Sequence, residues 1–230
     1  MEAKPRTYPL EAIYTPLRDQ VRDEIRNRII DGRYAPGTRL VERELADQLG
    51  VSRLPVREAL RIVEAENLVE ALPRRGIIVR RLSRTDVEEL FDVREALESL
   101  ACRLAAQRAD RAGLTRLRRL VNKAAQAIER NDLNSIGEAN AAFHDEVITI
   151  AANSVLSGML EPLSDRMHWL FRQNNDPKRL WAEHLHLYEA IASGDAQAAG
   201  DDAVDHVRVN RALALSLLFG GDDQYPGGHR

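Results

Sequence analysis

The sequence predicts a mainly α-helical protein of two parts: three helices with a β-hairpin, followed by an antiparallel all-α bundle of about six helices. Apolar residues recur at helical spacing along most of the chain, whereas two runs of strand-forming residues occur between residues 68 and 80. Gly, Ser, Asp and Pro mark the ends of these segments. We therefore expect a first domain at residues 10–82, a helical domain at 83–219 and a disordered tail at 220–230.

Composition excludes several classes of protein. Hydrophobic residues make up 44% and charged residues 30% of the chain, as in globular proteins with a core. The single cysteine, Cys102, rules out an intrachain disulfide framework and a thiolate zinc cluster. No apolar run approaches the roughly 20 residues of a membrane span, and the first residues lack the apolar core of a secretory signal. We expect a soluble, cytoplasmic protein with no membrane association.

Charge and histidine are distributed unevenly along the chain. Up to Leu82 there are 16 Lys and Arg against 13 Asp and Glu, and after it there are 17 against 23. A mildly basic first part suits a domain that faces nucleic acid, although the excess is small. All six histidines come after residue 140, so any imidazole metal site belongs to the second part.

The first part has the order of elements of a winged helix-turn-helix. A helix over residues 17–31 ends at Gly32, and a second, short helix ends at Gly50. Ser52 is a good N-cap for a third helix, and Pro55 lies in its first turn, where a missing N–H costs nothing. The two strands follow the third helix and complete the pattern as a wing.

The third helix has the two faces that a recognition helix needs. Its apolar stripe consists of Val56, Ala59, Leu60 and Val63. Arg53, Arg57 and Arg61 lie four residues apart on a neighbouring stripe, as long cationic donors for phosphates and guanine edges. Three arginines on one helix are also typical of a solvated face. The order of the elements and the arginine-tipped hairpin that follows favour DNA binding.

These residues resemble the winged-helix domain of GntR-family bacterial regulators. The resemblance rests on PG, L-x-E-x-x-L-A, GVSR-x-PVREAL and the RG wing in GRYAPGTRLVERELADQLGVSRLPVREALRIVEAENLVEALPRRGIIV. Asn67 occupies the usual glycine position, which Asn tolerates because it accepts left-handed conformations. The resemblance implies that DNA is contacted by Arg43, Ser52, Arg53, Arg57, Arg75 and Gly76.

The second part shows helical periodicity from Ser83 to Phe219. Thr85 and Glu88 fit a capping box that opens a helix to about Ala109. The other predicted helices cover residues 112–130, 133–152, 154–173, 177–193 and 195–219.

Five polar side chains interrupt the apolar faces of four of these helices. Arg94 lies in the first helix, Asn140 and His144 lie one turn apart in the third, and His184 and His206 lie in the fifth and the last. Buried polar groups cost a few kcal/mol each unless they are paired, so these residues together predict a shared polar cavity. We assign His168, His186 and His229 to solvent and Cys102 to packing.

Three neutral imidazoles and an amide oxygen suit a borderline divalent ion such as Zn²⁺ or Ni²⁺. The ligands would be Asn140, His144, His184 and His206. Open coordination positions would accept a carboxylate, and Arg94 could clamp its other end. Taken singly, each histidine could instead be a hydrogen-bonded core residue, Asn140 could bond to the backbone, and Arg94 could pair with Glu98.

The second part resembles the C-terminal FCD domain of the FadR-type branch of the same family. The matching segments are VREALE at 93–98, N-x-x-x-H at 140–144, EH at 183–184 and DHV at 205–207. In metal-binding members of that branch, an Asp and three His hold the ion. This sequence has Asn140 at the Asp position, which retains an oxygen donor but loses its charge.

The resulting hypothesis is a homodimeric regulator that binds double-stranded DNA at an inverted-repeat operator and senses a small carboxylate effector. A metal-free sensor of a larger effector, such as an acyl thioester, is the alternative within the class. A metal-dependent hydrolase is disfavoured, because no Glu or Asp is evidently spaced as a general base and a hydrolase has no use for the recognition helix. An architectural DNA-binding protein would not need a polar pocket.

Overall fold

The computed structural model describes the backbone of residues 15–171 and 176–220, and the side chains of all of these except 164–171. The chain separates into two compact units, with the division between Arg80 and Arg81. The predicted domain start at residues 10–14 and the predicted disordered tail after Gly220 lie outside the described residues. No helix in the described part of the chain is long and apolar enough to cross a membrane.

The first unit is the predicted set of three helices and a hairpin, with one further short strand. Its elements are α1 (Leu17–Ile30), β1 (Arg39–Leu40), α2 (Glu42–Leu49), α3 (Arg53–Ala65), β2 (Val69–Leu72) and β3 (Gly76–Val79). The three strands form an antiparallel sheet in the order β1-β3-β2. The sequence did not predict β1, because a two-residue strand is too short to show alternation.

The apolar stripe of α3 is the centre of this unit's core. Val56, Leu60 and Val63 are fully buried and pack with Ile25 of α1 and Val79 of β3. The turn before α3 is made by Gly50, which adopts a φ of 66° at the end of α2. Because packing fixes one face of α3, its arginine face is left toward solvent.

Residues with positive φ angles lie at the bend before β2 and at the tip of the wing. Asn67 has a φ of 58°, which confirms that Asn replaces glycine there in a left-handed conformation. At the tip, Arg74 has a φ of 63° and Gly76 a φ of 76°. The N–H of Arg75 donates to the carbonyl of Leu72 at 3.2 Å, so the hairpin reverses over a tight turn.

The second unit contains the six predicted helices, with bounds that agree to within about two residues. They are α4 (Arg84–Arg108), α5 (Arg111–Glu129), α6 (Leu133–Ala151), α7 (Ser154–Phe171), α8 (Pro177–Ser193) and α9 (Ala196–Phe219). Helix α4 packs along α9 and also contacts α6, α7 and α8. Phe143, Leu117, Leu160 and Ile191 are almost completely buried between these helices.

The prediction of a capping box at Thr85 and Glu88 was wrong by two residues. Ser83 is the N-cap of α4: its hydroxyl accepts from the N–H of Asp86 at 3.1 Å, and the Asp86 carboxylate accepts from the N–H of Ser83 at 2.8 Å. Both pairs have the required spacing, but the earlier one satisfies backbone donors at the actual helix start. Glu88 instead forms an ion pair with Arg84 at 3.4 Å.

Candidate nucleic-acid interface and metal centre

The predicted DNA-contacting residues of α3 lie at its exposed N-terminal end. Ser52 is the N-cap residue, as predicted, but its side chain accepts no cap hydrogen bond. Arg53 and Arg57 follow in the first two turns, with 62% and 47% of their side chains exposed. Neither arginine is needed for packing, so both are available to a ligand.

The remaining predicted contacts are also exposed, on α2 and at the wing. Arg43 lies in the first turn of α2, and Arg75 and Gly76 lie at the hairpin tip. The guanidinium of Arg39, on β1, lies beside Gly76. A Cβ atom at Gly76 would be 3.7 Å from Nε of Arg39. This cation was not predicted, because the sequence does not show β1 and so gives no reason to place Arg39 beside the wing.

Glu42, at the start of α2, is a second residue of this surface that was not predicted from the sequence. Its carboxylate accepts hydrogen bonds from Nε and Nη2 of Arg57 at 3.0 and 2.9 Å and lies 3.6 Å from Nη2 of Arg53. The hydrogen bond from Arg57 lowers the pKa of the Glu42 carboxyl. One carboxylate therefore joins both arginines of the recognition helix.

Leu54 is a third missed residue, at the same end of α3. Its side chain is 63% exposed, although it is large and apolar and follows Arg53 directly. An exposed apolar side chain at the N-terminus of a recognition helix can contact a thymine methyl group in the major groove. The signal in the sequence was the position of this apolar residue on the polar face of the helix, where it cannot pack into the core.

Three predicted metal ligands come together in the second unit. His144 of α6, His184 of α8 and His206 of α9 each offer a ring nitrogen, and these atoms all lie within 4.8 Å of one another. His184 and His206 are buried, with 2% and 3% exposure. Asn140 is half-buried on α6, one turn before His144.

The surroundings of the three rings fit a divalent ion. Nε2 of His184 is buried and has no hydrogen-bond partner among the residues whose side chains are described. Burial, together with the proximity of two other imidazoles and of Arg94, lowers the pKa of His184 well below its usual value, which favours the neutral form of this imidazole. A neutral imidazole with an unsatisfied nitrogen is the form that binds Zn²⁺ or Ni²⁺.

Glu183 supports the cluster from the second turn of α8. Its Oε2 lies 2.8 Å from Nδ1 of His206, and its Oε1 lies 3.3 Å from Nε of Arg179. A carboxylate that accepts from one ring nitrogen fixes the tautomer and frees the other nitrogen for a metal. The Asn210 amide donates to the carbonyl of His206 at 2.8 Å and also lies near Glu183.

Arg94 is buried in the middle of α4 and forms an ion pair with Glu98. The pairing of Arg94 with Glu98 that the i,i+4 spacing predicts is therefore present. The second carboxylate oxygen of Glu98 lies 3.9 Å from Nδ1 of His144, so Glu98 lies between Arg94 and the histidines. Glu98 and His144 line a cavity of about 20 Å³ with Cys102 and Phe143, which is enough for about one water molecule.

Two carboxylates that were not predicted as part of the site lie beside these histidines, since Oε2 of Glu98 is 3.9 Å from Nδ1 of His144 and Oε2 of Glu183 is 2.8 Å from Nδ1 of His206. Glu183 precedes His184 in the sequence, and Glu98 lies one turn from Arg94. Both could have been noticed, but α-helical spacing does not show contacts made between helices. His186 is exposed on α8 and Cys102 is buried, as expected. The side chains of His168 and His229 lie outside the described residues.

A three-helix unit with exposed arginines on a winged helix, joined to a helical unit with a buried polar cluster, defines a two-domain DNA-binding regulator. The comparisons with known proteins identify the family. Residues 17–79 match the bacterial regulatory proteins of the gntR family, and residues 89–209 match the FCD domain. The chain belongs to the GntR family of DNA-binding transcriptional regulators and carries an FCD effector-binding domain; it is not an enzyme.

Several known regulators are similar over most of the chain. McbR of Escherichia coli is 31% identical over 176 residues, which cover 75% of this chain and 79% of that protein. YdhC of Bacillus subtilis is 29% identical over 84% of this chain and 88% of YdhC. The repressor RspR of Escherichia coli is 28% identical over 84% of this chain and 86% of RspR. The solved structure of McbR superimposes with a TM-score of 0.76 and 26% identity, over 89% of this chain and 99% of McbR.

Proposed function

We propose that the protein is a homodimeric transcriptional repressor that senses a small carboxylate through a divalent metal in its helical domain. The metal, Zn²⁺ or Ni²⁺, would be held by His144, His184 and His206 with the oxygen of Asn140. The convergence of three imidazoles, with one nitrogen of each within 4.8 Å of the others, carries this proposal together with the buried, unsatisfied Nε2 of His184. The domain boundary would fall near residue 82, and the site of action would be the cytoplasm.

The DNA-binding part of the proposal rests on the exposed cations of the winged helix. The contacting residues would be Arg43, Ser52, Arg53, Arg57, Arg75 and Gly76. A twofold dimer would present two recognition helices, which calls for an inverted-repeat operator. Val93 and Leu100, seven residues apart on α4, are 50% and 42% exposed and support a dimer contact. The repressor role follows the similarity to RspR.

In the helical domain, the chain's own residues would prepare the site. The bound ion would supply a positive charge, and a carboxylate oxygen of the effector would coordinate it. Glu183 holds the ring of His206 through Nδ1, and Phe143 stacks on His184 with ring centroids 4.3 Å apart. These contacts fix the orientation of two of the three donors before any ligand arrives.

Arg94 and Glu98 would couple effector binding to a change of structure. An entering carboxylate that pairs with Arg94 would compete with Glu98, which already accepts a hydrogen bond from Nε of that arginine. The cavity beside them has room for about one water molecule, so the helices must also move apart. Helix α4 would therefore have one arrangement without the effector and another with it. The operator would bind the protein more tightly in one of these two states than in the other.

Metal binding is tested by native mass spectrometry and by calorimetry with Zn²⁺ and Ni²⁺ on chelator-treated protein. We expect one ion per chain, which is lost in His184→Gln and retained in His186→Gln. His186 is the matched control because it is an exposed histidine on the same helix. Absence of metal from the untreated wild-type protein, together with no uptake in calorimetry, would leave the histidines as hydrogen-bonding groups and refute the metal sensor.

Asn140→Asp tests the composition of the ligand set. With a neutral amide and three neutral imidazoles, the ion keeps its full +2 charge, whereas an Asp ligand reduces it to +1. The variant should therefore bind Zn²⁺ more tightly, and its metal-loaded form should bind a carboxylate such as citrate more weakly than the wild type. Calorimetry measures both steps. An unchanged metal affinity would remove Asn140 from the ligand set.

A further inference from the structure

Glu42 makes contacts that are unusual for an acidic residue next to a DNA-binding surface. It opens α2 and is the acidic residue in contact with both Arg53 and Arg57 of α3. Its side chain remains 25% exposed, so its charge is not hidden from an approaching phosphate. By charge alone it weakens the attraction of this surface for DNA, and a purely electrostatic interface would be stronger without it.

The geometry of the contact explains what the carboxylate can contribute. Arg57 donates from Nε and Nη2, at 3.0 and 2.9 Å, which occupies one edge of its planar guanidinium. The edge formed by the two terminal nitrogens still has donors directed away from Glu42. A guanidinium held on one edge loses less freedom when its other edge pairs with the O6 and N7 of a guanine.

We propose that Glu42 is a positioning residue that determines operator specificity, by holding the guanidinium of Arg57 in place for a base and by opposing contacts of both arginines with phosphates. This inference rests on the proposed DNA-reading role of Arg53 and Arg57. The bidentate pairing favours a base edge, which requires a donor pair in a fixed orientation. It disfavours random sequence, where the arginines would otherwise move to the nearest phosphate.

The chain provides a matched control in Glu44, two residues further along α2. Glu44 is exposed and makes no ion pair with any residue whose side chain is described. Glu42→Gln and Glu44→Gln remove the same charge from the same helix, and both keep the size of the side chain. A general increase of affinity for DNA from lost negative charge should therefore be similar in both variants, whereas loss of positioning should occur in Glu42→Gln alone.

The experiment measures the ratio of affinities for two duplexes over a range of salt concentrations. One duplex is selected by the full-length wild-type protein from a random-sequence pool, and the other is the same sequence scrambled. We expect Glu42→Gln to lower the ratio about 10-fold, mainly through tighter binding of the scrambled duplex. Its salt dependence on that duplex should steepen by about one unit for each additional phosphate that the released arginines bind. Glu44→Gln should keep the wild-type ratio.

Three further variants separate this inference from the proposed function. Arg57→Ala alone should lower the ratio of affinities. Glu42→Gln should then lower the ratio much less when it is added to Arg57→Ala than when it is introduced into the wild-type protein. If Arg57→Ala and Arg53→Ala both bind the selected duplex as the wild type does, the proposed function of these arginines fails. If they weaken binding while Glu42→Gln and Glu44→Gln keep the same ratio, the positioning role of Glu42 is overturned. Thermal unfolding of each variant confirms that the fold is kept.

Discussion

At the scale of single residues, the two proposed sites use the same side-chain types in opposite surroundings. Arg57 is exposed and pairs with a carboxylate near the surface, whereas Arg94 is 5% exposed and pairs with one in the interior. Exposed ion pairs contribute little to stability, while a buried pair cannot lose one member without a large penalty. Substitutions at Arg57 should therefore change binding, and substitutions at Arg94 should change folding as well.

Arg53→Ala and Arg57→Ala should each weaken binding to the selected operator by about 5-fold or more without changing the unfolding midpoint. Both side chains lie off the apolar stripe of α3, so their truncation opens no cavity. Fluorescence anisotropy with a labelled duplex measures the affinity. Arg33→Ala is the control, since Arg33 is an exposed arginine of the same unit that lies outside α3. Equal binding by all three variants and the wild type would show that α3 is not the recognition helix.

His184 should make the stability of the metal-free helical domain depend on pH. Its pKa is lowered by burial in the folded state and is about 6.5 in the unfolded state, so the unfolded chain binds more protons as the pH falls below that value. Stability should be full above about pH 6.5 and decrease below it. Urea unfolding in the presence of a chelator measures this between about pH 7.5 and 5.5.

His184→Gln should show a smaller loss of stability over the same pH range, because the substituted side chain does not titrate. His186→Gln should behave as the wild type does, since that histidine is exposed in the folded protein. The same pH dependence in His184→Gln and the wild type would mean that protonation of this imidazole is not coupled to folding.

At the scale of elements, helix α4 links the core of the helical domain to its polar cluster. It packs against four other helices of that unit and carries both Arg94 and Glu98 on its buried side. The i,i+4 spacing places the two side chains in contact within the helix, and the packing of α6 brings His144 to the same carboxylate. The ion pair is therefore local in sequence, but its environment depends on the packing.

Arg94→Leu should destabilise the helical domain by about 3 kcal/mol, because it leaves the Glu98 carboxylate in the interior without its cation. The double substitution of Arg94 and Glu98 by Leu should recover most of that loss, since it removes both charges. Urea unfolding monitored by circular dichroism measures both values. A double variant no more stable than Arg94→Leu would show that the pair is not the dominant interaction of either residue.

At the scale of the whole molecule, each unit has its own hydrophobic core. The core of the first unit is formed by residues between Val21 and Val79, and the clusters of the second begin at Val87. Each unit therefore has the apolar packing that a domain needs to fold alone.

We expect a fragment that begins at residue 81 to unfold cooperatively with the midpoint that the same segment has in the full-length protein. Both tryptophans lie in this segment, so tryptophan fluorescence reports on it alone in either protein. Circular dichroism of the full-length chain should show the first unit in addition. A fragment without a cooperative transition would indicate that the helical domain depends on the first unit for its stability.

The sequence by itself determined the mainly helical fold and its two parts, and it indicated the three histidines that the structure brings together, because these depend on periodicity and on residue type. The bounds of α8 and the left-handed Asn67 are local properties and were predictable for that reason. Tertiary structure alone brought Glu42 to Arg57 and Glu183 to His206. These pairs are 15 and 23 residues apart, and they depend on how the helices cross, which no local pattern specifies.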